Sequence, residues 1–312
     1  MNHLRRAARG GIALGALVTA AALVATLAGC SPDTDRVQPA SVDQQVLIYP
    51  DVSVVENLAY GPDPAQQLDV CQPADAETSS VNNGPRRAVI SVHGGSWREG
   101  DKAIVHWRSA CEWLASEGFV AFSLNYRLAP QHPFPAAIAD VRAAVEWLRQ
   151  PAQVQAYGYD PALIGAFGGS AGGNLVTLLG TEGAGPLDVG SRVAAVVELS
   201  GPIDLTGELA DGYDAEFQQV QLDYLGCSSY SRCSAAETAS PNYPVDSSDP
   251  PIFVGHSRDE FIPIEQAEVL VGALEEAGVD TVYVEVPGKL HSIALLSDEL
   301  RTQIVEFLRT HL

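Results

Sequence analysis

Short runs of β-branched and apolar residues recur along the chain from about residue 47, and helix-period stripes lie between them. Ala88-Val89-Ile90 with Val92, Val120-Ala121-Phe122 with Leu124, and Leu163-Ile164 with Ala166-Phe167 read as buried strands. Val193 to Leu199, Ile252-Phe253-Val254, and Val282-Tyr283-Val284 with Val286 repeat the type. Ile138, Val141, Val145 and Leu148 fall at i, i+3, i+7 and i+10, the apolar stripe of a helix lying on a sheet. Leu300, Ile304, Phe307 and Leu308 do the same near the C-terminus. Strands alternating with such helices predict parallel βαβ units and a mostly parallel, twisted α/β sheet of about eight strands with helices on both faces. Extended stretches near 48–58 and 66–71 precede the first helix and predict an antiparallel start. From about 203 to 249 the alternation stops. Asp, Ser, Gly and Pro dominate there, which reads as an insertion over the sheet. No internal repeat or interior linker divides residues 46–312, so they are expected to form one domain.

The first thirty residues follow a different logic. Arg5, Arg6 and Arg9 precede an apolar run from Ile12 to Ala28, and polar chain follows it. A basic start, an apolar middle and small residues at a cut site describe a secretory signal peptide over 1–29. The run is rich in Ala and Gly, which weakens the alternative of a permanent transmembrane helix. Leu27-Ala28-Gly29-Cys30 resembles the lipobox of bacterial lipoproteins, which implies cleavage before Cys30 and lipid on its sulfur. Arg5-Arg6 lacks the flanking pattern of twin-arginine export. Residues 30–45 are polar with two Pro and read as a flexible tether, so the domain is expected on the extracytoplasmic side of a bacterial cell membrane.

Charge and cysteine content narrow the partners. Eighteen Lys and Arg against 39 Asp and Glu give a net charge of −21, which disfavours nucleic acid. No Cys-x-x-Cys or His-x-x-x-His pair occurs, so no metal is expected. An exported location permits disulfides. With Cys30 acylated, Cys71, Cys111, Cys227 and Cys233 remain, an even number with three possible pairings. A local Cys227–Cys233 bridge across the loop SSYSR is the simplest, and it leaves Cys71–Cys111.

The chemistry concentrates at strand ends. Gly168-Gly169-Ser170-Ala171-Gly172 lies between a predicted strand and a helix expected over Gly173 to Leu179, the G-x-S-x-G context that exposes a serine on a sharp turn. A serine hydroxyl needs a base, and the base an orienting carboxylate. Asp259 follows the strand at 252–254, and His291 follows the one at 282–286, in the order Ser, acid, His. Glu260 is adjacent to Asp259, while Asp246 and Asp249 precede the strand; placement after the strand favours Asp259. His93-Gly94-Gly95-Ser96-Trp97 follows the strand at 88–92. Backbone N–H groups of Gly94, Gly95 and Ser96, with that of Ala171, are positioned to hold an oxyanion. His93 reads as structural, and Trp97 as pocket wall in preference to packing.

These residues carry a family resemblance. HGGSWREGDK (93–102), NYRLAPQHPFPAAIADVRAAVEWLR (125–149), YDPALIGAFGGSAGGNL (159–175), SDPPIFVGHSRDEFIP (248–263) and GKLH (288–291) occur in order. Together they resemble the hormone-sensitive-lipase-like α/β-hydrolases, and most the BD-FAE branch of carboxylesterases. The resemblance spans about 59–310. It implies the α/β-hydrolase fold, an acyl-enzyme on Ser170, a base at His291, and an acid at Asp259 through the D-x-x-hydrophobic-Pro pattern. It also implies that no cofactor is required and that the partner is a small-molecule ester. Gly255-His256 stands where the family usually has His-Gly. The polar 203–249 insertion lacks the amphipathic helix of a lipid-binding lid, which points to short acyl groups. The HGGSW loop also resembles arylformamidases, an amide-cleaving alternative that export disfavours. A non-catalytic surface binder is the other alternative, and it has no need of three filled triad positions.

Overall fold

A computed structural model describes residues 47–74 and 86–312; the signal peptide, Cys30 and the tether lie outside these residues. Eight strands, β1 (Val52–Ala59), β2 (Gln67–Pro73), β3 (Arg86–Val92), β4 (Val120–Leu124), β5 (Tyr159–Gly169), β6 (Ala195–Leu199), β7 (Ile252–Ser257) and β8 (Thr281–Val286), form one sheet. Its order is β1-β2-β4-β3-β5-β6-β7-β8. β1 with β2 and β2 with β4 pair antiparallel, and every later pair is parallel. The antiparallel start and the parallel run both match the sequence pattern.

Alternation along the central strands explains why the sheet is covered on both faces. Ala88, Ile90, Phe122, Ala166, Val196 and Val254 point to one apolar cluster, and Val89, Ala121, Phe167, Val197 and Phe253 to another. α1 (Val105–Ser116) and α7 (Asp298–His311) cover the second face. α2 (Ala136–Leu148), α4 (Ala171–Thr181) and α6 (Glu265–Ala277) cover the first. The two sequence stripes land as expected: Ile138, Val141, Val145 and Leu148 are buried on α2, and Leu300, Ile304, Phe307 and Leu308 on α7. The short α3 (Pro151–Tyr157) starts with Pro and stops at Gly158 in the left-handed region, as such turns do.

The insertion holds one helix, α5 (Ala215–Leu225), capped by the Asp214 carboxylate accepting from Phe217 N–H at 2.8 Å and ended by left-handed Gly226. It is fastened to the domain at its root, where buried Gln266 Oε1 on α6 accepts from the N–H groups of Ile203 and Asp204, each at 2.7 Å. Both expected disulfides form, Cys71–Cys111 between β2 and α1 and Cys227–Cys233 within the insertion, with Cα atoms 5.9 and 5.5 Å apart. All the parallel strands run in one direction, so the loops that follow β3, β5, β6, β7 and β8 gather at one edge of the sheet, where open α/β sheets place their ligand sites.

Candidate active site

Ser170 stands between β5 and α4 at φ 57° and ψ −128°, a conformation that non-glycine residues rarely adopt. The turn closes because its neighbours lack side chains. A Cβ on Gly172 would run into the carbonyls of Val92 and His93, and one on Gly94 would sit 3.0 Å from Ser170 Cβ. Ser170 N–H donates to Leu199 O at 2.8 Å, which pins the turn to the end of β6. α4 then begins at Ala171, where helical N–H groups have no partner inside the helix.

His291 follows β8, and its Nδ1–H donates to Glu260 Oε2 in a close contact. The acid therefore is not where the sequence placed it. Asp259 is exposed, and its backbone N–H donates to Gly288 O at 2.9 Å, as Arg258 N–H does to Val286 O. That pairing with the end of β8 carries residues 258 and 259 outward, and the chain turns back at Glu260, whose side chain is fully buried. Glu260 Oε1 accepts from Ser200 Oγ at 2.6 Å and from Ser257 N–H at 3.3 Å. His256 Nε2 lies 3.4 Å away on the same side and donates to Ile262 O at 2.9 Å. Burial holds the His256 imidazole below its usual range, so it stays neutral and acts as a hydrogen-bond donor. Glu260 stood in the sequence as the neighbouring alternative to Asp259, while Ser200 and the part played by His256 were missed. The His256-to-Glu260 spacing of four residues was the available signal, since His256 is on β7 and Glu260 just beyond it.

The loop after β3 closes the other side. Gly95 has φ 122°, and Ser96 and Trp97 have φ 54° and 56°. Gly95 O accepts from the N–H groups of Arg98 and Glu99, each at 3.0 Å, which folds the loop back on itself. His93 is structural, as expected. It is buried, its ring stacks on Tyr126 with centroids 4.4 Å apart, and Nδ1–H donates to Gly94 O at 2.7 Å. Burial lowers its pKa to about 4, so it carries no charge there. Trp97 is packing and not pocket wall: it is fully buried and stacks on Tyr224 of α5, centroids 4.2 Å apart at 6°. At its far end the loop is tied to the sheet by Lys102, buried, whose Nζ lies 2.8 Å from Asp69 Oδ1 on β2.

Gly94, Gly95, Ser96, Ser170 and His291 line one open cavity of about 410 Å³. Ile104, Trp107, Phe261 and Ile293 supply its apolar walls. The Phe261 ring rests on His291 at 4.4 Å and is backed by Phe217 of α5 at 5.6 Å. Of the expected site residues, the structure thus brings together Ser170, His291 and Gly94 to Ser96, keeps Ala171 beside Ser170, and leaves Asp259 outside.

Comparison with known proteins follows the same lines. Esterase LipC of Mycobacterium tuberculosis is 37% identical over 257 residues, which cover 78% of this chain and 60% of LipC. This chain therefore spans about three fifths of that relative's length, 60% of it. Among solved structures, a truncated carbohydrate esterase from gut microbiota superposes with TM-score 0.70 at 23% identity, covering 83% of this chain and 96% of that one. A thermophilic esterase of Thermogutta terrifontis with butyrate bound superposes with TM-score 0.63 at 26% identity, covering 84% and 93%. The family model described as BD-FAE matches residues 68–274, from β2 through most of α6. On that match and this sheet order, the chain belongs to the BD-FAE family and has the α/β-hydrolase fold.

Proposed function

We propose that the protein is an exported, lipid-anchored serine carboxylesterase that cleaves short-chain acyl esters through an acyl-enzyme on Ser170. The observation that carries the reading is the Glu260–His291 pair set beside Ser170, itself on a left-handed turn, in one cavity. Ser170 Oγ attacks the acyl carbonyl carbon as its proton passes to His291 Nε2. Glu260 Oε2 accepts from Nδ1–H, fixing the tautomer and stabilising the imidazolium. The carbonyl electrons collect on oxygen, facing backbone N–H groups of Ala171 and the 94–96 loop. Collapse expels the alkoxide, which leaves as the alcohol with the proton from His291. Water then attacks the acyl carbon by the same route, giving the carboxylic acid and free Ser170.

The short-chain preference is supported by a small cavity and by an insertion that is fastened down instead of hinged, with its disulfide and its Gln266 anchor. The butyrate-bound relative is in keeping with it. Export and anchoring are supported by Arg5, Arg6, Arg9, the apolar run and Leu27 to Cys30. The test is a series of p-nitrophenyl esters assayed on protein lacking residues 1–30. We expect kcat/KM to be highest between acetyl and hexanoyl, and Ser170→Ala to lose at least ~10³-fold. Near-normal turnover by folded Ser170→Ala overturns the mechanism; preference for palmitoyl over butyryl overturns the chain-length reading alone.

A further inference from the structure

Ser200 is the first residue after β6, wholly buried, and held at φ 55°. A serine in the left-handed region is disfavoured where glycine is not, so its side chain has to account for its presence. A hydroxyl has one proton to give and lone pairs to receive, and here both capacities are used. Oγ–H donates to Glu260 Oε1 at 2.6 Å, and Oγ accepts from Ser292 N–H at 2.9 Å. Ser292 is the residue after His291, and it packs against the elbow so tightly that a Cβ on Gly169 would strike its hydroxyl. The backbone completes the junction. Ser200 N–H donates to Gly255 O on β7 at 2.9 Å, and the preceding Leu199 O accepts from Ser170 N–H at 2.8 Å. The three segments that carry Ser170, Glu260 and His291 therefore meet on two adjacent residues at the end of one central strand.

The other donor to Oε1 is longer, Ser257 N–H at 3.3 Å, and His256 Nε2, 3.4 Å away, gives its N–H to Ile262 O instead. The Ser200 hydroxyl touches both the carboxylate and the turn that bears the histidine. We infer that Ser200 is a positioning residue, whose hydroxyl holds the Glu260 carboxylate and the His291 turn in register so that the base faces Ser170. The inference rests on the esterase reading of the site. It adds a fourth side chain that touches neither substrate nor the reacting atoms.

Two substitutions separate hydroxyl from backbone. Ser200→Ala removes the hydroxyl and keeps the disfavoured φ; Ser200→Gly removes the hydroxyl and relaxes the backbone. With p-nitrophenyl butyrate, both are expected to lower kcat by a similar factor, about 10–100-fold, with KM within about twofold of the parent, the signature of an interaction that matters in the transition state. Thermal melting checks the fold, and Ser200→Gly is expected to melt no lower than Ser200→Ala; it carries the test if the alanine variant does not fold. Parental kcat in Ser200→Gly with a loss in Ser200→Ala assigns the effect to the backbone and overturns the inference. Parental kcat in both, or a change confined to KM, overturns it too. Failure of the esterase reading itself is seen separately, as turnover that survives Ser170→Ala.

Discussion

At the scale of single residues, the acid is the sharpest test of the site. Glu260→Gln keeps the size of the side chain but presents an amide N–H₂ that opposes the Nδ1–H tautomer, leaving Nε2 protonated and unable to take the Ser170 proton. A fall in kcat of roughly 10³–10⁴-fold is expected, while exposed Asp259→Asn stays near the parent. The reverse ranking in a p-nitrophenyl ester assay would sink the assignment. Ser170 and His291 were legible in the sequence because each is singled out by its neighbours: glycines around one, a strand end before the other. The acid was not, because Arg258, Asp259 and Glu260 share one turn, and which of them faces inward is settled by pairing with Val286 and Gly288, some thirty residues on. A second residue-scale prediction concerns Glu198. Its burial, with the nearby Glu260 charge adding and Gly201 N–H opposing, pushes its carboxyl up to about 8, and Oε2 has no hydrogen-bond partner among the described residues. The folded chain thus keeps a proton that the unfolded chain gives up near 4.5, so stability falls as pH rises between those values and levels off above about 8. Glu198→Gln cannot titrate and should gain stability on the parent from about pH 5 to about pH 8 in denaturant melts. A difference that stays constant with pH would show the carboxyl is ionised throughout.

At the scale of elements, the sheet was legible strand by strand, since apolar runs between turn residues carry their own signal. The insertion was legible only as a break in that signal. Its helix has local marks, Asp214 at the start and Gly226 at the stop, yet its purpose depends on a distant partner: Tyr224 covers Trp97 and so buttresses the loop after β3. For that reason the sequence placed Trp97 in the pocket wall. The two disulfides differ in what they constrain. Cys71–Cys111 closes a loop with a separation of 40 residues, tying the antiparallel margin of the sheet to α1, and Cys227–Cys233 closes one of only 6. Loop-closure entropy alone gives ~4 kcal/mol for the first and ~2 kcal/mol for the second. Cys71→Ala with Cys111→Ala should therefore lower unfolding free energy in urea more than Cys227→Ala with Cys233→Ala. Equal losses, or a larger loss from the short loop, would mean that local packing outweighs the chain-entropy effect.

At the scale of the whole molecule, charge bears on the proposed attachment to a membrane. Loss of residues 1–29 removes three Arg and no acid, taking the net charge from −21 to −24. A body this acidic is, on its net charge, repelled by anionic headgroups. No helix among the described residues is long and apolar enough to cross a membrane. On the proposed reading, the acyl chains on Cys30 supply the whole of the attachment, two or more being needed for a stable anchor. Three outcomes follow from that division of labour. The parent protein should stay in the membrane fraction through a high-salt wash, because salt screens charges and leaves acyl burial intact, and detergent should extract it. Cys30→Ala should appear in the soluble fraction. Its kcat/KM on p-nitrophenyl butyrate should match the parent's in detergent, since Ser170, His291 and Glu260 all belong to the unit spanning Gln44–Leu312. Retention of Cys30→Ala on the membrane after the signal is cut, or release of the parent by salt, would replace the lipid with a protein or ionic tether.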